Sequence, residues 1–165
     1  MDTAALRRDH DTALILLRRG GMNPAHDPVM REELRRVFTP VFIALQDEIT
    51  TKNPLNCVYC YDQDAQPPRI SACDGYSSVH VDRLTGRRVA SIGISVQALR
   101  AGEDFAGLIL LHELAHVLID DPAAHDHDEA FHALLDQLIA RFNQKTGKAI
   151  VNDYQGLEES KNELC

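Results

Sequence analysis

The chain of 165 residues has no tryptophan, and aromatic residues make up only 5% of it. So few rings argue against an aromatic platform of the kind on which single-stranded bases stack. Positive charge is scarce too: 17 lysines and arginines face 25 aspartates and glutamates, leaving a formal net charge of −8. A phosphate backbone finds no overall electrostatic footprint here, so nucleic acid is not an expected partner. Long apolar runs are also missing. Stretches such as "ALILL" at Ala13–Leu17 and "LILL" at Leu108–Leu111 fall far short of the roughly 18–20 apolar residues of a membrane span, so no membrane is expected either. The first residues lack a basic region followed by an apolar core and a small-residue cleavage site, which favours a cytoplasmic protein. What the chain does have is an ordinary globular composition, 44% hydrophobic and 25% charged, at a length suited to one domain.

Punctuation and periodicity divide it further. Residues 1–25 read as an arm with a short helix, "DTALILLRR", stopped by Gly20 and Gly21; residues 26–150 read as a single domain; 151–165 form a polar tail. From Pro28 to Ile49 the apolar positions Leu34, Val37, Phe38, Val41, Phe42, Leu45 and Ile49 recur in steps of three and four, which predicts an amphipathic helix kinked at Pro40. "LNCVYCY", "RISAC", "YSSVHVD" and "RVASIGIS" have strand composition, the last two joined antiparallel across "RLTGR". A helix capped near Asp104 runs through "FAGLILLHELAHVLI"; with apolar residues on nearly every side, it belongs in the interior. A last helix from Asp128 to Lys145 carries the stripe Phe131, Leu134, Leu135, Leu138, Ile139 and Phe142 and ends at Gly147. The expectation is an α+β fold: a small mixed or antiparallel sheet of three to four strands packed on a buried helix, with flanking helices.

Four cysteines leave three readings open. "CVYC" at Cys57–Cys60 has metal-ligand spacing, and Cys73 with His80 would complete a structural zinc site. A disulfide such as Cys60–Cys73 is the second reading, and reduced, partly buried thiols are the third.

The chemistry concentrates in residues 112–132, which hold five of the eight histidines. "HELAH" at 112–116 fits H-E-x-x-H. On a helix, His112 and His116 lie about 40° apart around the axis and one turn along it, so both imidazoles can reach one metal ion. Glu113, about 100° away, can act on a water beside the metal without being a ligand. Such a pattern also arises on wet helix faces, but here it sits among Leu108, Ile109, Leu111, Leu114, Val117 and Leu118, where uncompensated polar groups would be costly. A catalytic zinc usually has three protein ligands and one open position. The extended motif with glycine at 119 and histidine at 122 is excluded, since Ile119 and Pro122 stand there.

Helical phase ranks the other candidates. With Phe131 at zero, the apolar stripe of the last helix centres near ~10° and His127 falls near ~−40°, whereas Glu129 lies near ~160° and His132 near ~100°. His127 is therefore the best-placed third ligand, with Glu129, His125 and the neighbouring aspartates as alternatives. His125, His132, Tyr76 and His80 are candidates to stabilise a developing oxyanion, and Asp120, Asp121 and Asp136 to orient a ligand imidazole.

"HELAH" followed by "HDEAF" and "LLDQL" resembles the SprT-like and WLM zinc metallopeptidases, which pair H-E-x-x-H with a downstream H-x-x-x-F. The resemblance covers roughly Ile92 to Phe142, with Asp128 standing where these families often have glycine or asparagine. It implies a zincin-like fold, zinc held by His112, His116 and His127, Glu113 as general base, and a protein or peptide substrate. It also implies that "ASIGIS" is an edge strand along the cleft, its small residues Ser91, Gly93 and Ser95 leaving room for a substrate backbone. The "DEAF" segment with "ALLDQL" resembles the ImmA/IrrE type instead, which would make Glu129 the third ligand. The expected activity is zinc-dependent peptide hydrolysis by an endopeptidase; the alternative is a zinc-holding regulatory or binding module with little turnover.

Overall fold

The apolar steps between Met30 and Ala44 form helix α1 (Pro28–Ala44), whose buried face is Met30, Leu34, Val37, Phe38, Val41 and Ala44. A computed structural model of the chain describes residues 28–49, 53, 55–63, 73–119 and 127–153. The expected N-terminal helix, "RISAC" apart from Cys73, residues 120–126 and the tail beyond 153 lie outside the described residues. Pro40 sits inside α1 and removes one backbone donor. The helix nevertheless continues through it and breaks at Leu45, a fully buried turn residue, before the short α2 (Gln46–Ile49). Lys145 Nζ donates to the Ala44 carbonyl at 2.7 Å, satisfying an acceptor that the helix end leaves open.

Three strands follow: β1 (Leu55–Tyr61), β2 (Gly75–Val81) and β3 (Arg88–Ser95). Their order in the sheet is β1-β3-β2, with β1 parallel and β2 antiparallel to β3. The β2–β3 hairpin is the one expected from "RLTGR". Expectation and structure part at the edge. β3, read from "ASIGIS" as an edge strand, is bonded on both sides, and among the described strands β1 and β2 take the two edges instead. Alternation turns Val58 and Cys60 of β1 and Ile92 and Ile94 of β3 into the core, each no more than 2% exposed. On the opposite face Tyr59 pairs with Gly93, and its ring lies so close that a Cβ there would be 2.7–2.9 Å from it. Gly93 is therefore filled by Tyr59 rather than left open for a substrate.

Ser95 ends β3 and caps α3 (Val96–Ala101) by accepting from Ala98 N at 2.9 Å. This short helix is absent from the reading of the sequence, because six residues are too few to show a period. Next comes α4 (Glu103–Ile119), with Asp104 in its first turn rather than at its cap. Eleven of its seventeen residues are buried, including every one from Ala106 to Ala115, so beyond its exposed first turn it passes between the sheet and the other helices. Leu108, Leu110, Leu111 and Leu114 are each no more than 2% exposed, and burying one such side chain contributes about 1.5–3 kcal/mol. Near the end of α4 the buried Asn53 donates to the Val117 carbonyl at 3.1 Å.

The last helix, α5 (Glu129–Thr146), starts from Asp128, whose carboxylate accepts from Phe131 N at 2.8 Å, and ends where Gly147 turns left-handed at φ 73°. Cys73 is disulfide-bonded and Cys60 is a buried thiol, so the Cys60–Cys73 pairing does not form. A disulfide sulfur is not a zinc ligand, which also removes the structural zinc site built on Cys73 and His80. No described helix is long and apolar enough to cross a membrane.

Replacing Asp128 by Ala takes away the cap of α5. We expect a loss of about 1 kcal/mol, read as a lower urea midpoint with unchanged slope.

Candidate metal centre

His112 and His116 come one turn apart on α4, and His127 stands just before the Asp128 cap of α5, so two helices contribute to one point. The Nε2 atoms lie 3.2 Å apart for His112 and His116, 3.1 Å for His116 and His127, and 3.1 Å for His127 and His112. A neutral Nε2 either carries a proton or offers a lone pair. Among three such atoms at least two are alike, so one of the three contacts cannot be a hydrogen bond. A single cation satisfies all three lone pairs at once. Ligand distances of about 2.0–2.1 Å in a tetrahedral set place nitrogens roughly 3.3–3.4 Å apart, close to the spacing found. The three histidines are thus close enough, and rightly disposed, to hold a metal ion.

Phe131 supplies the floor. Its ring, 1% exposed, lies 4.9 Å from His112, 4.4 Å from His116 and 4.7 Å from His127, centroid to centroid. Packed against one rigid ring, the three imidazoles have few other orientations. The H-x-x-x-F spacing therefore has a mechanical meaning: the phenylalanine one turn into α5 faces the same way as the histidine that precedes it.

Glu113 is 3% exposed and His112 is 1% exposed. Burial pushes the Glu113 carboxyl up to about 8, while a hydrogen bond with Ser77 partly opposes the shift. His116 moves the other way, down to about 4, mainly through burial and then through the neighbouring His127. Its ring is neutral, the form that binds metal, over most of the pH range.

Strand β2 is what encloses Glu113. Gly75 and Ser77, alternate residues on the face toward α4, both meet it: Ser77 through its hydroxyl, Gly75 by close approach. A Cβ at Gly75 would lie 2.6 Å from Ile109 Cγ2 and 2.8 Å from both Cγ and Oε1 of Glu113. Only glycine lets the strand lie this near the helix. The strand's start is held in turn by Tyr61 Oη and Gln63 Nε2, both donating to the Cys73 carbonyl at 2.7 Å, and by Ser95 N donating to the Asp74 carbonyl at 2.8 Å. Sequence reasoning missed Gly75 and Ser77, although two small residues at alternate strand positions are the signal for close approach to a neighbour.

Other expected participants fall elsewhere. Glu129 is exposed in the first turn of α5 and is not part of the cluster. His132 is half-buried, its ring 6.4 Å from that of His127. Tyr76 and His80 alternate onto the face of β2 away from α4, and His80 is exposed. Asp136 is exposed and accepts from Asn152 Nδ2 at 3.1 Å, so it does not orient a ligand histidine. His125, Asp120 and Asp121 lie outside the described residues. Comparisons with protein-family models, curated proteins and solved structures find no match to this chain.

Metal-free protein should lose stability with rising pH. The folded chain keeps the Glu113 proton up to about 8 while the unfolded chain releases it at 4.5, so between these values the fold binds more protons and stability falls as pH rises. His116 has the opposite sign below 6.5, so the clean window is about pH 6.5 to 8. Urea midpoints of chelator-treated protein should fall across it, and Glu113→Gln should flatten the slope; equal slopes would refute the assignment.

Proposed function

We propose that the chain is a zinc-dependent metallopeptidase in which His112, His116 and His127 hold the metal and Glu113 is the general base. One observation carries this reading: a buried carboxylate directly follows one of three convergent imidazoles, on a helix that is buried from Ala106 to Ala115. A site that only stored metal would gain nothing from Glu113, which costs free energy to bury. The chemistry of the donor set favours zinc, since neutral imidazoles in a roughly tetrahedral half-shell suit it well. Zinc in such a site supplies Lewis acidity, polarising a carbonyl and making water easier to deprotonate.

The remaining work belongs to the chain's own side chains. Glu113 takes the proton of the attacking water and returns it to the departing amine nitrogen. Its carboxyl is raised to about 8 without metal, and a nearby dication lowers it toward the range in which it can take and give a proton at neutral pH. Ser77 donates to the carboxylate and keeps it from rotating away. His132, half-buried with its ring 6.4 Å from that of His127, is a candidate donor to a developing oxyanion. The outer edge of β2 offers main-chain groups that β3 does not use, against which an extended polypeptide can pair. Disulfides persist chiefly in oxidising compartments, so Cys73 weighs against the cytoplasmic expectation.

Metal analysis and cleavage test separate parts of this proposal. Wild type and Glu129→Ala should carry about one zinc per chain, and His127→Ala should lose it; the reverse pattern would hand the third position to Glu129. Against a peptide library, Glu113→Gln should keep its zinc yet lose about 10²–10⁴-fold in rate, and a chelator should silence the wild type. Equal cleavage by wild type and Glu113→Gln would end the peptidase claim; bound zinc without cleavage would leave a binding module. Ser77→Ala should lower kcat about tenfold at unchanged zinc content, with recovery in Ser77→Thr.

A further inference from the structure

The acidic chain carries a basic, partly apolar projection at the far end of the strand that encloses Glu113. Arg83 and Arg87 between β2 and β3 and Arg88 at the start of β3 are all exposed, and Leu84 at the tip is 96% exposed. The loop's one carboxylate, Asp82, is committed inward. It accepts from Leu84 N at 3.3 Å, from Thr85 N at 3.1 Å and from the Thr85 hydroxyl. Asp82 N donates to the Arg87 carbonyl and Gly86 N to the Asp82 carbonyl, both at 2.8 Å, with Gly86 at φ 70° completing the turn. The arginines thus project from a built turn, in a chain whose formal charge is −8. Leu84 adds nothing to the core, and Val81, 58% exposed, ends the β2 face that begins with Gly75 and Ser77. Arg88 is directly opposite Val81 and shares that face.

The strand links this projection to the metal centre. From Gly75 to Val81 is six residues, about 20 Å of extended chain. A polypeptide paired along the edge of β2 with its scissile bond near Glu113 would bring a segment about six residues away beside Arg83 and Arg87. We propose that the β2–β3 hairpin is a subsite for acidic side chains of an extended polypeptide substrate, set about six residues from the bond cleaved. This rests on the peptidase reading for the position of that bond. A short acidic segment fits better than a membrane or a duplex. Its charge interacts with the arginines within a Debye length of roughly 8 Å, whereas an extended polyanionic surface would also face the acidic remainder of the molecule.

The test is binding to full-length, zinc-loaded Glu113→Gln protein by fluorescence anisotropy. The probes are labelled 20-residue peptides that differ only in a Glu, Gln or Lys pair about six residues to either side of the centre. Phosphatidylserine vesicles and a DNA duplex are run in parallel. The Glu peptide, on one side of the centre only, should bind about tenfold more tightly than the Lys peptide. The preference should shrink in high salt and invert when Arg83→Glu and Arg87→Glu are added. Equal binding of Glu and Lys peptides, no peptide binding, or binding to vesicles or DNA in place of the Glu peptide would overturn the proposal. Because the readout needs no turnover, a Glu preference without wild-type cleavage supports the subsite and refutes only the peptidase reading. Cleavage of Glu and Lys peptides alike, with equal affinity, does the opposite.

Discussion

Three imidazole nitrogens held 3.1–3.2 Å apart, each facing the other two, cannot all be satisfied by one another's protons. Much else in the structure serves to keep them there. Two come from one helix turn, so their relative position follows from helix geometry alone. The third belongs to a different helix and depends on where α5 begins. The Asp128 cap sets that start, and Phe131, packed against all three rings, limits how they can turn. Convergence of this kind is costly without a cation and favourable with one, because binding free energy then becomes folding free energy.

The second constraint is the carboxylate. Glu113 is buried on a helix wrapped in leucine, and desolvation alone would hold it neutral. Its position is compatible with chemistry because β2 approaches with no side chain at Gly75 and a hydroxyl at Ser77. This makes the edge strand part of the site rather than its frame. The same strand then runs out from the core to a turn of opposite charge to the rest of the chain. Two of the three convergent histidines, Glu113 and the basic tip therefore lie along one helix and one strand.

Much of this was legible in the residue pattern. The spacing of His112, Glu113 and His116 needs only a helix to become geometry, and the leucine-rich surroundings identify that helix as an interior one. His127 was selected by phase extrapolated one turn back from a strong apolar stripe, and the structure places its Nε2 with the other two. Asp128 and Gly147 bound α5 as their side-chain and backbone chemistry require. Local periodicity carries this information because helix geometry is nearly independent of what surrounds it.

What only the tertiary structure decided is which elements are neighbours. Strand pairing is non-local, so composition identified β2 and β3 as strands but could not say that β3 lies inside and β2 at the edge. The role of "ASIGIS" was misassigned for that reason, and Gly93, apparently room for a substrate, is occupied by Tyr59 from a strand more than thirty residues earlier. Gly75 and Ser77 matter only because a helix lies against them. The sequence by itself determined the buried helix that carries His112, Glu113 and His116 and the phase of His127, all governed by bonds within a turn or two; the strand order, the enclosure of Glu113 and the distance along β2 to the arginine hairpin were decided by contacts between segments far apart in the chain.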